Sequence, residues 1–153
     1  KRVFRMIPGL EQAEFARYGV MHRNTFIQAP RLLDRDLRLR GIDAPVYVAG
    51  QLSGTEGYCE AIASGLMCAL FVYAQLQGMQ APLLPVETVF GALLDYATDP
   101  ATQDYQPMHV NFGILKPLDQ HIRNKGMRYA AYAERGSRAM EGYVADIRTK
   151  GLL

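Results

Sequence analysis

From Ala61 to Val86 the chain carries no charged residue, and Glu60 and Glu87 bound the run. A stretch of that length exceeds the roughly 20 apolar residues that cross a bilayer, so it must become either a membrane helix or part of a protein core. Ser64, Gln75, Gln77, Gly78, Gln80, Pro82 and Pro85 interrupt it. That leaves Gly65 to Ala74 as its strongly apolar block and predicts a buried core helix, with no membrane partner. At 49% hydrophobic and 21% charged over 153 residues, the chain suits one globular unit and excludes disordered or low-complexity classes.

Charge nearly balances but is unevenly placed. Residues 1–40 hold nine basic and four acidic side chains, residues 41–115 none and seven, and residues 116–153 eight and four. The net +2 predicts no partner in bulk. Two basic flanks around an acidic middle can meet a polyanion or form ordinary solvated surface, and the excess of Arg over Lys, 13 to 4, favours bidentate phosphate contacts. Cys59 and Cys68 are too few for a disulfide framework, and nine residues apart on one helix they fall on opposite faces. Neither a bridge nor a metal site is expected. With no apolar signal region, a reducing, cytoplasmic setting is the expectation, and the absence of an initiator Met suggests a piece of a longer protein.

Pro8-Gly9 predicts a turn and Leu10 to Ala16 a short helix. Tyr18 to Gln28, with Val20, Thr25, Phe26 and Ile27, reads as extended chain, and Arg31 to Asp43 as a surface connection anchored by Leu32, Leu33, Leu37 and Leu39. A short buried strand over Val46 to Val48 then leads through Gly50-Gln51-Leu52-Ser53-Gly54-Thr55-Glu56-Gly57-Tyr58 into a helix from about Glu56 to Leu76. Pro85 and Thr88 announce another helix reaching near Thr98. Asp99 to Leu115 reads as irregular or extended. The final helix, from about Met127 to Arg148, lines Tyr129, Ala133, Gly136, Met140, Tyr143, Val144 and Ile147 along its apolar face.

The glycine loop carries the chemistry. Glycines at 50, 54 and 57 let backbone N–H groups approach a ligand with no Cβ in the way, and the positive end of the following helix dipole favours an anion or an electron-rich carbonyl. Phosphate and the pyrimidine edge of a flavin both suit such a corner. The loop lacks the Gly-Lys-Ser/Thr of a Walker cradle and the spacing of G-x-G-x-x-G. A plain strand-to-helix turn accounts for the glycines equally well.

Gly50 to Tyr58, followed by Glu60, Ala61, Ala63, Gly65 and Leu66, closely resembles the flavin-contacting segment near the carboxyl end of the GidA-related flavoproteins. One branch of that family modifies the wobble uridine of tRNA; the other, the TrmFO branch, comprises folate- and FAD-dependent methyltransferases that make 5-methyluridine in the T-loop. Ile7-Pro8-Gly9-Leu10, Ala13-Glu14-Phe15, Tyr18-Gly19-Val20-Met21-His22-Arg23-Asn24-Thr25-Phe26, Gln106-Pro107-Met108 and Asn111-Phe112-Gly113 are similar to the second branch. His109 and Gln28 depart from its pattern.

The resemblance implies an α/β chain, the carboxyl-terminal portion of a Rossmann-like FAD-binding fold. Residues 1–115 would belong to the FAD- and folate-binding domain and residues 116–153 to its helical tail. It implies that Gly50, Gln51, Gly54, Thr55, Glu56, Gly57 and Tyr58 line the flavin ring, with the helix N-terminus at its N1/O2 edge, and that His22 and Asn24 meet the folate. Arg123, Lys125, Arg128 and Arg135 are the candidate RNA phosphate contacts. FAD, methylenetetrahydrofolate and NADPH or NADH are the implied cofactors, and tRNA and the remaining N-terminal part of the enzyme the implied partners. The reactive cysteine, whose thiolate adds to C6 of uracil in such enzymes, is expected upstream, so no residue here is assigned as catalytic and Cys59 is expected to pack as a small apolar side chain. Two alternatives stand beside this: a related flavoprotein acting on ribosomal RNA or the wobble uridine, and a non-catalytic RNA-binding or interaction module.

Overall fold

The computed structural model describes residues 2–16 and 24–153. Its helices are α1 (Ala29–Leu32), α2 (Tyr58–Leu76), α3 (Val89–Thr98) and α4 (Lys125–Thr149), joined by short 3-10 turns at Phe4–Met6, Gly50–Ser53 and Phe112–Ile114. α2, α3 and α4 fall within about two residues of the spans read from the sequence, whereas the single turn α1 stands where the sequence reads only the end of an extended segment at Pro30. α2 starts at Tyr58 and not Glu56, because Gly57 has φ +110° and the Glu56 amide donates to the Met108 carbonyl at 3.1 Å. Thr88 caps α3: its hydroxyl accepts from Gly91 N at 3.0 Å and donates to the Pro85 carbonyl at 2.7 Å.

Two expectations fail. Among the described residues no strand longer than a single bridge forms, and Val46 to Val48 contributes only the antiparallel bridge of Tyr47 with Arg38. Its one neighbour is the tight reversal Leu33 to Leu39, which is itself closed by a lone bridge, so no ladder extends. Leu10 to Ala16 is a series of turns, not a helix. The Glu11 carboxylate accepts from the Gly9 amide at 3.0 and 3.1 Å, a local bond that competes with helical pairing; Glu11's own amide, and after it that of Gly9, holds the carboxyl pKa below the ordinary value. Residues 24–28 carry no regular secondary structure, and the rest of the segment read as extended, 18–23, lies outside the described residues.

The main core gathers Ala29, Leu33, Leu37, Val48, Met67, Cys68, Phe71, Leu84, Leu94, Ala97 and Tyr105. Leu33 and Leu37 do anchor the 31–43 connection, both fully buried. Leu37 does so at φ +64°, a left-handed conformation costly for a branched side chain, and burial in the core offsets the strain. Arg35 and Arg40 lock the same connection to α3: Arg35 donates to the Leu84 carbonyl at 2.9 Å and pairs with Asp95 at 3.1 Å, and Arg40 reaches Asp34, the Pro30 carbonyl and the Thr98 carbonyl at 2.7, 2.9 and 3.3 Å.

α2 is buried along one side only, and its exposed side is largely apolar too. Ser64, Met67, Cys68, Phe71 and Ala74 face the core, while Ile62, Leu66 and Leu76 remain exposed. By length and composition α2 passes the test for a membrane-crossing helix, with mean hydropathy 1.5, but that one-sided packing is the pattern of a core helix. α4 joins through a second cluster of Ala74, Ile147 and Leu152, and the Tyr143 hydroxyl donates to the Pro82 carbonyl at 2.7 Å.

Thr88→Ala leaves the Gly91 amide and the Pro85 carbonyl without that hydroxyl and is expected to cost about 1–2 kcal/mol, read from urea unfolding; Thr88→Ser, which keeps the hydroxyl, is expected to avoid most of that loss. Equal stability of the two variants would show that the cap contributes nothing.

Candidate functional site

The glycine loop is the point where three distant segments meet. Gly50 and Gly54 have φ of +67° and +86°, so the chain reverses tightly between them. Ser53, Thr55 and Ser64, all fully buried, fill the inside of the reversal. Ser53 and Thr55 hydroxyls donate to the Gly50 carbonyl at 2.7 and 2.9 Å, and the Gly50 amide donates to Ser64 Oγ at 2.7 Å. Ser64 also donates to the Ala61 carbonyl at 2.8 Å, which ties the loop to the first turn of α2. In the sequence Ser64 reads only as a polar interruption just before the apolar block Gly65 to Ala74; its bond to the loop joins residues 14 positions apart.

On one side the Ile27 amide donates to the Leu52 carbonyl at 3.0 Å, and on the other Met108 and Gly54 to Glu56 exchange backbone bonds at 3.2 and 3.1 Å around the parallel bridge of Thr55 with Met108. The Gln106-Pro107-Met108 motif therefore lies directly against the glycine loop. Tyr105 wedges beneath it. Its hydroxyl donates to the Ser53 carbonyl at 3.0 Å, burial and then the neighbouring Tyr96 push its pKa up to about 12, and its ring occupies the space that a Cβ on Gly54 would need. Glu60, also buried, accepts from the Val110 amide at 3.0 Å and closes off the space beside Gly57.

The outer side of the loop is open. Thr55 turns its side chain inward, Gln51 and Gly57 are exposed, and Tyr58 is 93% exposed at the start of α2. No side chain caps α2, whereas Thr88 caps α3 and Asn124 caps α4. The first amides of α2 therefore retain the donor capacity that a helix start leaves open, behind a glycine with no Cβ. That arrangement fits an electron-rich ring edge.

Asn24 is brought to this corner, its amide donating to Glu56 Oε1 at 3.4 Å. His22 lies outside the described residues. A polar cleft of about 680 Å³ adjoins, lined by Gln28, Arg31, Thr102, Asp104 and Tyr105 among others. The candidate RNA residues cluster elsewhere, around the start of α4. Arg123 and Lys125 are exposed, Arg128 donates to the Ile122 carbonyl at 3.2 Å, and Arg135 donates to the Lys116 and Pro117 carbonyls at 2.6 and 2.9 Å. Arg135 thus clasps the segment leading into α4.

Cys59 is exposed and does not pack as an apolar residue, while Cys68 is buried. The half-turn offset between them puts Cys59 on the outer face of α2. Burial, and behind it Asp36, pushes the Cys68 thiol up to about 11.

The first 80 residues match the family model for glucose inhibited division protein A. The chain belongs to the GidA family. It is 48% identical to the methylenetetrahydrofolate–tRNA-(uracil-5-)-methyltransferase TrmFO of Syntrophomonas wolfei over 92% of the chain and 32% of that relative. Against the proteins of the same name from Thermosynechococcus vestitus and Desulforudis audaxviator, identity is 51% and 46%, covering 88% and 99% of the chain and 29% and 34% of the relatives. The chain spans about a third of the length of the curated relatives it matches.

Gly54→Ala forces a Cβ into the Tyr105 ring at a left-handed backbone and is expected to cost roughly 1–3 kcal/mol; Gly65→Ala, on the open face of α2, is expected to gain roughly 0.5–1 kcal/mol. Thermal unfolding of both checks the pair. An aromatic disulfide reagent at neutral pH is expected to titrate Cys59 alone in the native protein and both thiols after denaturation, and Cys59→Ser to abolish the native reaction.

Proposed function

We propose that the protein bearing this chain is a flavin-dependent tRNA (uracil-5-)-methyltransferase, taking its carbon from methylenetetrahydrofolate and forming 5-methyluridine in the T-loop. The observation that carries this reading is the uncapped N-terminus of α2 behind Gly57, with Gln106-Pro107-Met108 and Asn24 gathered against it, in a chain so similar to proteins of that name.

FAD would lie along Gly50, Gln51, Gly54, Thr55, Glu56, Gly57 and Tyr58, held by the open amides at the start of α2, since the Gly50, Gly54 and Glu56 amides are committed to Ser64 Oγ, the Gln51 carbonyl and the Met108 carbonyl and the Thr55 hydroxyl to the Gly50 carbonyl. The helix dipole favours the negative charge that a flavin gains on reduction. When bound and reduced by NADPH or NADH, the flavin supplies the electrons for methylation. Asn24, oriented by Glu56, and His22 would position the folate beside it. The buried hydroxyls hold the shape of the reversal that leads into α2, and Tyr105 closes the loop's inner side to water. Arg123, Lys125 and Arg128 would meet RNA phosphate, with Arg135 holding the segment that presents them.

The exposed apolar side of α2, with Ile62, Leu66 and Leu76, supports a further element of the reading: this chain is part of a Rossmann-like α/β domain, whose sheet takes in the 46–48 segment and whose remainder covers α2. The enzyme would act in the cytoplasm, where tRNA is modified.

Purified protein is incubated with a T-loop-unmodified tRNA transcript, labelled methylenetetrahydrofolate and NADPH or NADH, and the nucleosides are separated. Label in 5-methyluridine, together with a flavin absorbance band that Gly57→Val removes, is the expected result. Flavin binding with label confined to ribosomal RNA would redirect the substrate, and absence of both flavin and label would leave an RNA-binding module.

A further inference from the structure

The start of the last helix breaks a local rule. The positive end of a helix dipole favours acidic side chains, yet the first turn of α4 has none, and Arg123, Lys125 and Arg128 crowd it. Between Phe112 and Tyr132 the chain has four cations, Lys116, Arg123, Lys125 and Arg128, against the single acid Asp119. Among the described residues none of those four forms an ion pair. Positive charge is gathered here without internal compensation, at some cost to the helix.

Aromatic rings occupy the same surface. Phe112 lies parallel to Tyr129, centroids 4.1 Å apart and planes 6° from coincidence, and Tyr132 leans on it at 5.8 Å. Lys125 and Arg128 stand 5.5 and 5.9 Å from the Tyr129 ring centre. Asn111 accepts from the Gly113 amide at 2.8 Å and so sets the short turn that presents Phe112. With Tyr129 on one face, Phe112 still keeps 43% of its surface open, enough to receive a flat partner. Val110, two residues earlier, is bonded to Glu60 on the first turn of α2, so this surface begins where the glycine loop ends.

We propose that Phe112 and Tyr129, with Arg123, Lys125 and Arg128, form a stacking platform for an unpaired base of looped RNA, the cations meeting the phosphates on either side of that base. The proposal rests on the reading of the protein as an RNA-modifying flavoenzyme and names where it grips its RNA. Aromatic stacking accepts any base face, and cations beside the rings serve the backbone. A paired base offers no free face, so the platform favours loop over stem.

The test uses the whole flavin-loaded protein and a T-arm RNA hairpin in which 2-aminopurine replaces each loop nucleotide in turn. Phe112→Leu, which keeps apolar contact with Tyr129 but removes the ring, is expected to weaken hairpin binding by about fivefold to a hundredfold and to abolish the quenching of one loop position. Phe112→Tyr keeps the ring and both readouts. Joint Arg123→Ala and Lys125→Ala substitution is expected to lower the slope of log affinity against log salt by about 0.7 per cation removed. Flavin absorbance stays unchanged in all three. Hairpin affinity and quenching in Phe112→Leu equal to the unsubstituted protein, or equal losses in Phe112→Leu and Phe112→Tyr, would overturn the platform. Those outcomes leave the methyltransferase reading intact, which fails separately if the unsubstituted protein binds the hairpin but forms no 5-methyluridine on tRNA.

Discussion

Three buried hydroxyls around one glycine hold the loop that leads into α2 in shape. Ser53 and Thr55 satisfy the Gly50 carbonyl, and Ser64 satisfies its amide. A backbone group left unpaired in that position costs about 1–3 kcal/mol, so the reversal can be buried only because the hydroxyls are there. Everything that gathers at the corner hangs from the reversal: the Leu52 carbonyl accepts from Ile27, the Gly54 carbonyl accepts from Met108, the Glu56 amide donates to Met108, and α2 starts without a side-chain cap. Tyr105 completes the arrangement from below, where its ring makes glycine obligatory at position 54.

The arginines divide by task in a way that their distribution along the chain conceals. Arg35 and Arg40, part of the basic first flank, are internal staples between the 31–43 connection and α3. Arg135 is spent on two carbonyls before α4, its Nε buried without a partner. By contrast Arg123 and Lys125 remain exposed. Neither is in an ion pair among the described residues, and Lys125 stands beside the Tyr129 ring.

α2 shows how far composition alone reaches. An uncharged run predicts burial, and half of the helix meets that expectation: Met67, Cys68, Phe71 and Ala74 pack inward. The other half stays exposed, because packing depends on what lies opposite each face, which hydropathy does not encode. The failure at Val46 to Val48 has the same origin. An apolar triplet can be strand only where a neighbouring ladder exists, and the neighbour here offers one bridge. Cys59 belongs with these, since its exposure follows from which face of α2 it occupies.

What the sequence determined by itself was local: the left-handed glycines of the loop, the cap at Thr88, the apolar face of α4 and the presence of a helix start suited to an electron-rich ligand. These depend on backbone propensity and on residues a few positions apart, and so are written in the order of the residues. The tertiary structure decided which motifs meet. Asn24 beside Glu56, Met108 against Thr55, Tyr105 under Gly54 and Phe112 on Tyr129 join residues far apart along the chain. Such pairings are chosen by the shape of the whole core, which no short stretch of sequence contains.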